Sequence, residues 1–182
     1  MNKKLTLAMI FFAAVTFTQC KDAGDDVEPD DENELITTVT LKFAEKGTTT
    51  VNSFSYKDTD GDGGNAPAQF DTISLKPNTA YTLTVEMLDE SKTPAEDVTE
   101  EIEEKSDEHL LIYTPAPASL LSYTYGDKDA NNFNIGLTGE ALTGAAGTGK
   151  LKVQLRHQPG TKDGSATSGS DDVNLDFALV IK

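Results

Sequence analysis

Tryptophan is absent from this 182-residue chain, cysteine occurs once, and basic residues are outnumbered about two to one, with 15 Lys+Arg against 31 Asp+Glu. A single cysteine excludes an internal disulfide framework and any zinc site built on thiolate pairs. The lack of Trp removes the Trp-on-disulfide core of antibody domains and the broadest side chain for stacking on sugars. A formal charge of −16 excludes the clustered Lys and Arg that phosphate neutralisation needs, so nucleic acid is not a partner, and polybasic adhesion to membranes is disfavoured. With 37% hydrophobic and 25% charged residues, what remains is the make-up of one ordinary globular domain with attachments.

Long apolar runs are also scarce, the one instance being Leu5 to Val15 behind Lys3 and Lys4. It has the length of a signal-peptide core rather than the ~20 residues a spanning helix needs. It runs into Phe17-Thr18-Gln19-Cys20, where the only cysteine stands at a cleavage position. This resembles a bacterial lipoprotein signal, although Phe17 and Gln19 stand where Leu and a small residue are usual. The resemblance implies removal of residues 1–19 and lipidation of Cys20, whose acyl chains would anchor the protein durably at ~0.8 kcal/mol per buried methylene. Residues 20–34, from Lys21-Asp22 through Asp25, Asp26, Glu28, Asp30, Asp31, Glu32 and Glu34, have little to bury and read as an acidic tether. The tract resembles the surface-export tag of Bacteroidota lipoproteins, which implies the outer membrane and an outward-facing domain.

From Leu35 the texture becomes alternating, with Val39, Leu41 and Phe43 on one face and Thr38, Thr40 and Lys42 on the other. The same period recurs at 49–56, 69–75, 80–88, 108–113, 120–125, 133–137, 151–157 and 173–181. The expectation for 35–182 is an all-β, antiparallel sandwich of about 7–9 strands. One short acidic helix interrupts it: Thr93, Pro94 and Glu96 supply a start signal, and Val98 and Ile102 form a narrow apolar stripe. Residues 158–172, rich in Gly, Ser and Thr, read as a long mobile loop, and 139–149 as a small-residue connection. Gly147-Thr148-Gly149-Lys150 lacks the spacing of a phosphate loop.

Two acidic segments, 56–63 and 125–132, align without gaps and suggest a duplicated strand–loop unit. Asp58, Asp60 and Asp62, and in the second copy Asp127, Asp129 and Asn131, repeat the alternate-position oxygens that open calcium loops. Gln69 and Thr138 stand where such a loop closes with a bidentate Glu. The same residues also suit Asx-rich turns. A second candidate centre joins His109 and His157 with Glu101, Glu104 and Glu108, the ligand types a thiol-poor chain would use for zinc, provided that two strand ends meet. Otherwise His157 is a core-edge residue, His109 is exposed, and the glutamates are a solvated face. Two histidines and no nucleophile motif give no catalytic constellation, so the expectation is a non-enzymatic protein.

Taken together, residues 36–41, 58–66, 93–104 with Glu108-His109, and 144–157 resemble a family of small Bacteroidota, mainly Flavobacteria-type, surface lipoproteins. Some members carry the label "type 1 periplasmic binding fold", which implies a two-lobed α/β architecture too large for this strand-rich chain. Lipoproteins of this kind often sit beside TonB-dependent outer-membrane transporters. The resemblance therefore implies a membrane-attached accessory that captures a divalent cation or other ligand. The rival expectation is a calcium-rigidified adhesion or glycan-contact module.

Overall fold

The computed structural model describes residues 34–60 and 64–182. The signal segment, Cys20, the tether up to residue 33, and Asp62 lie outside the described residues. The elements are β1 (Thr38–Glu45), β2 (Val51–Lys57), β3 (Gln69–Phe70), β4 (Ile73–Leu75), β5 (Ala80–Asp89), β6 (Glu96–Asp97), α1 (Val98–Glu104), β7 (His109–Ala116), a 3₁₀ turn (Ala118–Leu120), β8 (Leu121–Tyr125), β9 (Thr138–Thr143), β10 (Gly147–His157) and β11 (Ser170–Ile181). They form a β-sandwich. One sheet runs β3-β2-β1-β5-β9-β8 with β6 attached to β5, and the other runs β4-β11-β10-β7. Every strand pair is antiparallel except β4 with β11.

Alternation builds the core as expected. Val39, Leu41 and Phe43 of β1 and Tyr81, Leu83, Val85 and Met87 of β5 face Leu151, Val153 and Leu155 of β10 and Phe177 and Leu179 of β11. Fully burying each such side chain stabilises the fold by roughly 1.5–3 kcal/mol. Phe43 contacts Phe54 and Tyr81 edge-on, at centroid distances of 6.1 and 6.0 Å. The 69–75 segment is two strands in different sheets, because Asp71 turns its carboxylate to the Ser55 amide at 2.8 Å and the chain crosses over.

Three expectations need correction. Residues 133–137 are not a strand, since Gly136 takes φ +100°, and the strand is instead β9, within the segment read as a connection. The helix is capped by Asp97, which accepts from the Thr99 amide at 3.0 Å, because Glu96–Asp97 pair with the end of β5 before the helix begins. Val98 and Ile102 are buried, as the stripe predicted. The 158–169 segment is bonded at several points. Gln158 donates to Ser165 O and Ser168 O at 2.9 and 3.0 Å, Arg156 to Ser168 O at 2.8 Å, and Lys162 to Ser106 O at 2.7 Å.

Gly169 is required where that segment enters β11. Its φ is +76°, and a Cβ there would stand 1.9 Å from the His157 carbonyl oxygen.

Candidate functional site

The β7–β10 register pairs His109 with His157, so the two strand ends do meet. The rings stack with centroids 5.0 Å apart and planes 6° from parallel. His157 is nearly buried at the core edge, with Nε2 3.9 Å from Glu108 Oε2. His109 is 0% exposed, which overturns its expected place on the surface. Its Nδ1 lies 3.0 Å from the Lys105 carbonyl oxygen. A carbonyl only accepts, so the hydrogen-bond network assigns the ring proton to Nδ1 and leaves a lone pair on Nε2.

That lone pair meets two carboxylates. Glu34 Oε1 is 3.7 Å and Asp172 Oδ2 is 4.0 Å from His109 Nε2, with side-chain exposures of 8% and 0%. Glu34, counted with the tether on composition, belongs structurally with the domain. The chain just after it is held by Thr37, whose amide donates to Leu88 O at 3.0 Å and whose hydroxyl accepts from the Glu90 amide at 2.8 Å. Asp172 reaches the interior through a β-bulge. The β10–β11 register slips between Leu155 and Arg156, pairing them with Val173 and Asp171, so Asp172 is the extra residue.

Among the described residues, neither oxygen of Glu34, neither oxygen of Asp172, nor His109 Nε2 has a hydrogen-bond partner. Burial is the first cause of each resulting pKa shift. Glu34 is pushed up to about 7, with Glu101 adding repulsion and Lys105 opposing it. Asp172 is pushed up to about 6, and His109 is pushed down to about 4 against the pull of its Lys105 hydrogen bond. All three groups move towards their neutral forms, the response of buried groups that lack a counter-charge.

Glu34 and Asp172 also line a cavity of about 310 Å³ between the start of β1, the end of β2 and the first half of β11. Asp58 joins them in the lining, 5% exposed, with its Oδ1 unpaired and its Oδ2 accepting from Tyr56 Oη at 3.2 Å. Ile36, Val39, Val173 and Leu175 supply apolar wall. Asp171 lines it too, but is held by Arg156 at 2.5 Å.

The two acidic loops differ in how their oxygens are engaged. In the first, Asp60 accepts from the Asn65 amide and side chain at 3.0 and 2.7 Å, which lowers its pKa, and a side-chain hydrogen bond with Asp58 lowers it further. In the second, Asp127 accepts from the Gly136 and Thr138 amides at 2.8 and 2.9 Å, and Asp129 accepts from those of Asn131 and Phe133, both at 2.9 Å. Lys162 places its ammonium 2.8 Å from Asp129 Oδ2, with side-chain exposures of 2% and 0%. Asn131 is exposed, and Asn132 takes the positive φ expected of an Asx turn. Among the predicted zinc-type carboxylates, Glu101 pairs with Lys105 at 3.1 Å, Glu104 is exposed on α1, and Glu108 faces His157.

Sequence reading thus reached His109 but missed Glu34 and Asp172. The one available signal was Asp172 standing just before the apolar alternation of β11. As arranged, no set of three or more His, Cys, Asp or Glu side chains among the described residues is drawn together tightly enough to hold a metal ion. No helix among the described residues is long and apolar enough to cross a membrane. Compared with protein-family models, with characterised proteins and with solved structures, the chain shows no significant match.

Proposed function

We propose that this is a lipid-anchored, non-enzymatic protein of the outer membrane that binds a divalent cation between Glu34, His109 and Asp172 and serves as accessory to a TonB-dependent transporter. The observation that carries the cation is the buried His109 Nε2 facing one oxygen each of Glu34 and Asp172, none of the three atoms having a hydrogen-bond partner among the described residues. A proton or a metal ion relieves that arrangement. The Lys105 carbonyl holding Nδ1–H is the outer support that metal-bound imidazoles use to present Nε2. Donor atoms on tetrahedral zinc, with bonds of about 2.0–2.1 Å, stand roughly 3.4 Å apart, so each carboxylate would have to approach His109 Nε2 by about half an ångström on binding. The anchor and the transporter role rest on the N-terminal segment and on the resemblance to surface lipoproteins.

The test is a zinc titration of the chelated full chain, followed by calorimetry and native mass spectrometry. One zinc per chain is expected, with at least tenfold weaker binding in His109→Gln and in Asp172→Asn. Zinc affinity indifferent to both substitutions sinks the metal reading. Protease shaving of intact cells checks the outward orientation.

A second reading is favoured by Asp58 Oδ1, unpaired and beside Asp60. In it, the first acidic loop holds calcium for rigidity on a surface-contact module. Melting would then depend on calcium, and Asp60→Ala would abolish the response while His109→Gln would not.

A further inference from the structure

Lys162 and Asp129 form an ion pair set apart from the other lysine–carboxylate pairs among the described residues. Their side chains are 2% and 0% exposed, whereas the lysines of the others are 37–64% exposed. Nζ stands 2.8 Å from Oδ2, but Oδ2 has no aligned hydrogen bond among the described residues, and the ammonium donates instead to Ser106 O at 2.7 Å. The other carboxylate oxygen, Oδ1, accepts the Asn131 and Phe133 amides, both at 2.9 Å. An amine nitrogen is thus lodged beside a carboxyl group whose Oδ1 sits in a two-amide pocket of the kind that stabilises the oxyanion of acyl transfer. The Phe133 ring lies against Gly164, where a Cβ would stand 2.9 Å from it, so an aromatic ring packs on the segment that carries Lys162.

We propose that Lys162 and Asp129 become joined by an intramolecular amide bond between Nζ and Cγ, tying the 125–132 loop to the 158–169 segment. The step is a condensation. A proton passes from Nζ to Oδ2, the neutral amine attacks Cγ, and Oδ1 carries the negative charge in its two-amide pocket. A second Nζ proton then moves to Oδ2, which leaves as water while the C=O re-forms, so no oxidant, reductant or co-reactant is consumed. Burial pushes the Asp129 carboxyl up, but Lys162 and the two amides outweigh it and hold it below its ordinary value, so the pair rests ionised and reacts from its minor neutral form. Fixed proximity supplies effective molarities that reach about 10⁵–10⁸ M, and a neutral amide removes the desolvation cost that two buried charges carry. With a single cysteine in the chain, such a bond takes the place a disulfide would have in closing a loop. The inference goes beyond the divalent-cation reading and does not rest on it, because neither residue is among the three groups assigned to the metal.

The test is a tryptic map of the purified full chain, read by tandem mass spectrometry. Trypsin cuts after Lys128, Lys150, Arg156 and Lys162, so the unjoined protein yields 129–150 and 157–162 as separate peptides. An acylated Lys162 is no longer cut, and the joined protein yields 129–150 linked to 157–182, lighter by one water than the two peptides together. The linked species is expected in the wild-type protein with or without chelator. It is expected to be absent from Lys162→Arg, which keeps the positive charge but presents a guanidinium in place of an amine that can lose its proton.

Free 129–150 and 157–162 as the only forms of these peptides in the wild-type protein overturn the proposal, a measurement that needs no variant to fold. A link that the fragment ions place on any carboxyl other than that of Asp129 overturns it as well. Zinc binding without the linked peptide removes this inference and leaves the metal reading standing. The linked peptide without zinc binding does the reverse.

Discussion

The two acidic loops share a pattern, yet the structure gives them opposite characters. Asp127 accepts a backbone amide on each oxygen, Asp129 accepts two on Oδ1, and Lys162 sets its ammonium 2.8 Å from Asp129 Oδ2. Asp58 is equally buried, but its Oδ1 has no hydrogen-bond partner among the described residues. What separates the two loops is therefore the donors that other segments bring to the carboxylates. Lys162 arrives from 33 residues beyond Asp129, which no local pattern reveals.

The comparison breaks most visibly at Lys162. Lys162→Met leaves the Asp129 carboxylate buried beside uncharged atoms, and loss of one partner of a buried pair costs about 3–5 kcal/mol, which thermal melts would register as a fall of roughly 10 °C in Tm. Asp58→Asn in the first loop, at the place that matches Asp127, is expected to shift stability by under about 1 kcal/mol, because its Oδ1 has no hydrogen-bond partner among the described residues to lose. Gly169→Ala should come next, at about 3 kcal/mol, since the new Cβ meets the His157 carbonyl in a left-handed backbone and distorts the segment carrying Lys162. The same melts measure it.

Glu34→Gln sharpens the contrast through pH. Glu34 faces Asp172 from β11, His109 from β7, and Glu96, Glu101 and Lys105 from the helix region. Its folded pKa of about 7 lies above the ordinary 4.5, so its contribution to stability is complete below about pH 4.5 and is lost as pH rises through 7. Asp172 acts in the same sense up to about pH 6. His109, depressed to about 4 from 6.5, has the opposite sign: its contribution is present above pH 6.5 and is lost as pH falls through 4. Glu34→Gln is thus expected to stabilise the chelated protein at pH 8 by on the order of 1–3 kcal/mol, at about 1.4 kcal/mol per pKa unit, with little change near pH 4.5. Melts at pH 5 and pH 8 decide it. The smallest expected effect is calcium's: any rise in Tm on adding it should vanish in Asp60→Ala and survive Asp127→Asn.

The sandwich was legible wherever alternation involved large side chains, as in β1, β5, β10 and β11. It was hidden in β9, Thr138–Thr143, because Gly139 has no room for a side chain: a Cβ there would stand 2.4 Å from the Tyr123 hydroxyl. The strand is small-residued because a tyrosine from β8 fills its space. At the helix, Thr93-Pro94 was a sound local start signal, overridden when Glu96–Asp97 paired with β5. The site was half legible. His109 and His157 stood out as the only histidines, but their meeting depends on strand register. Asp172 turns inward only because of a bulge, and Glu34 resembled every other acid of the tract before it. Burial of a carboxylate is a tertiary fact, and composition points the other way.

The order of strands in the smaller sheet also constrains when the protein can fold. β11, the last of the described strands, lies between β4 and β10, with its early residues shaping the cavity and its late ones pairing β4. That sheet can pair β7 with β10 early, but β4 cannot join it until the inner strand β11 is delivered. The smaller sheet is therefore completed only once residues through Ile181 are free to pair, and the core that its inner strand covers closes last.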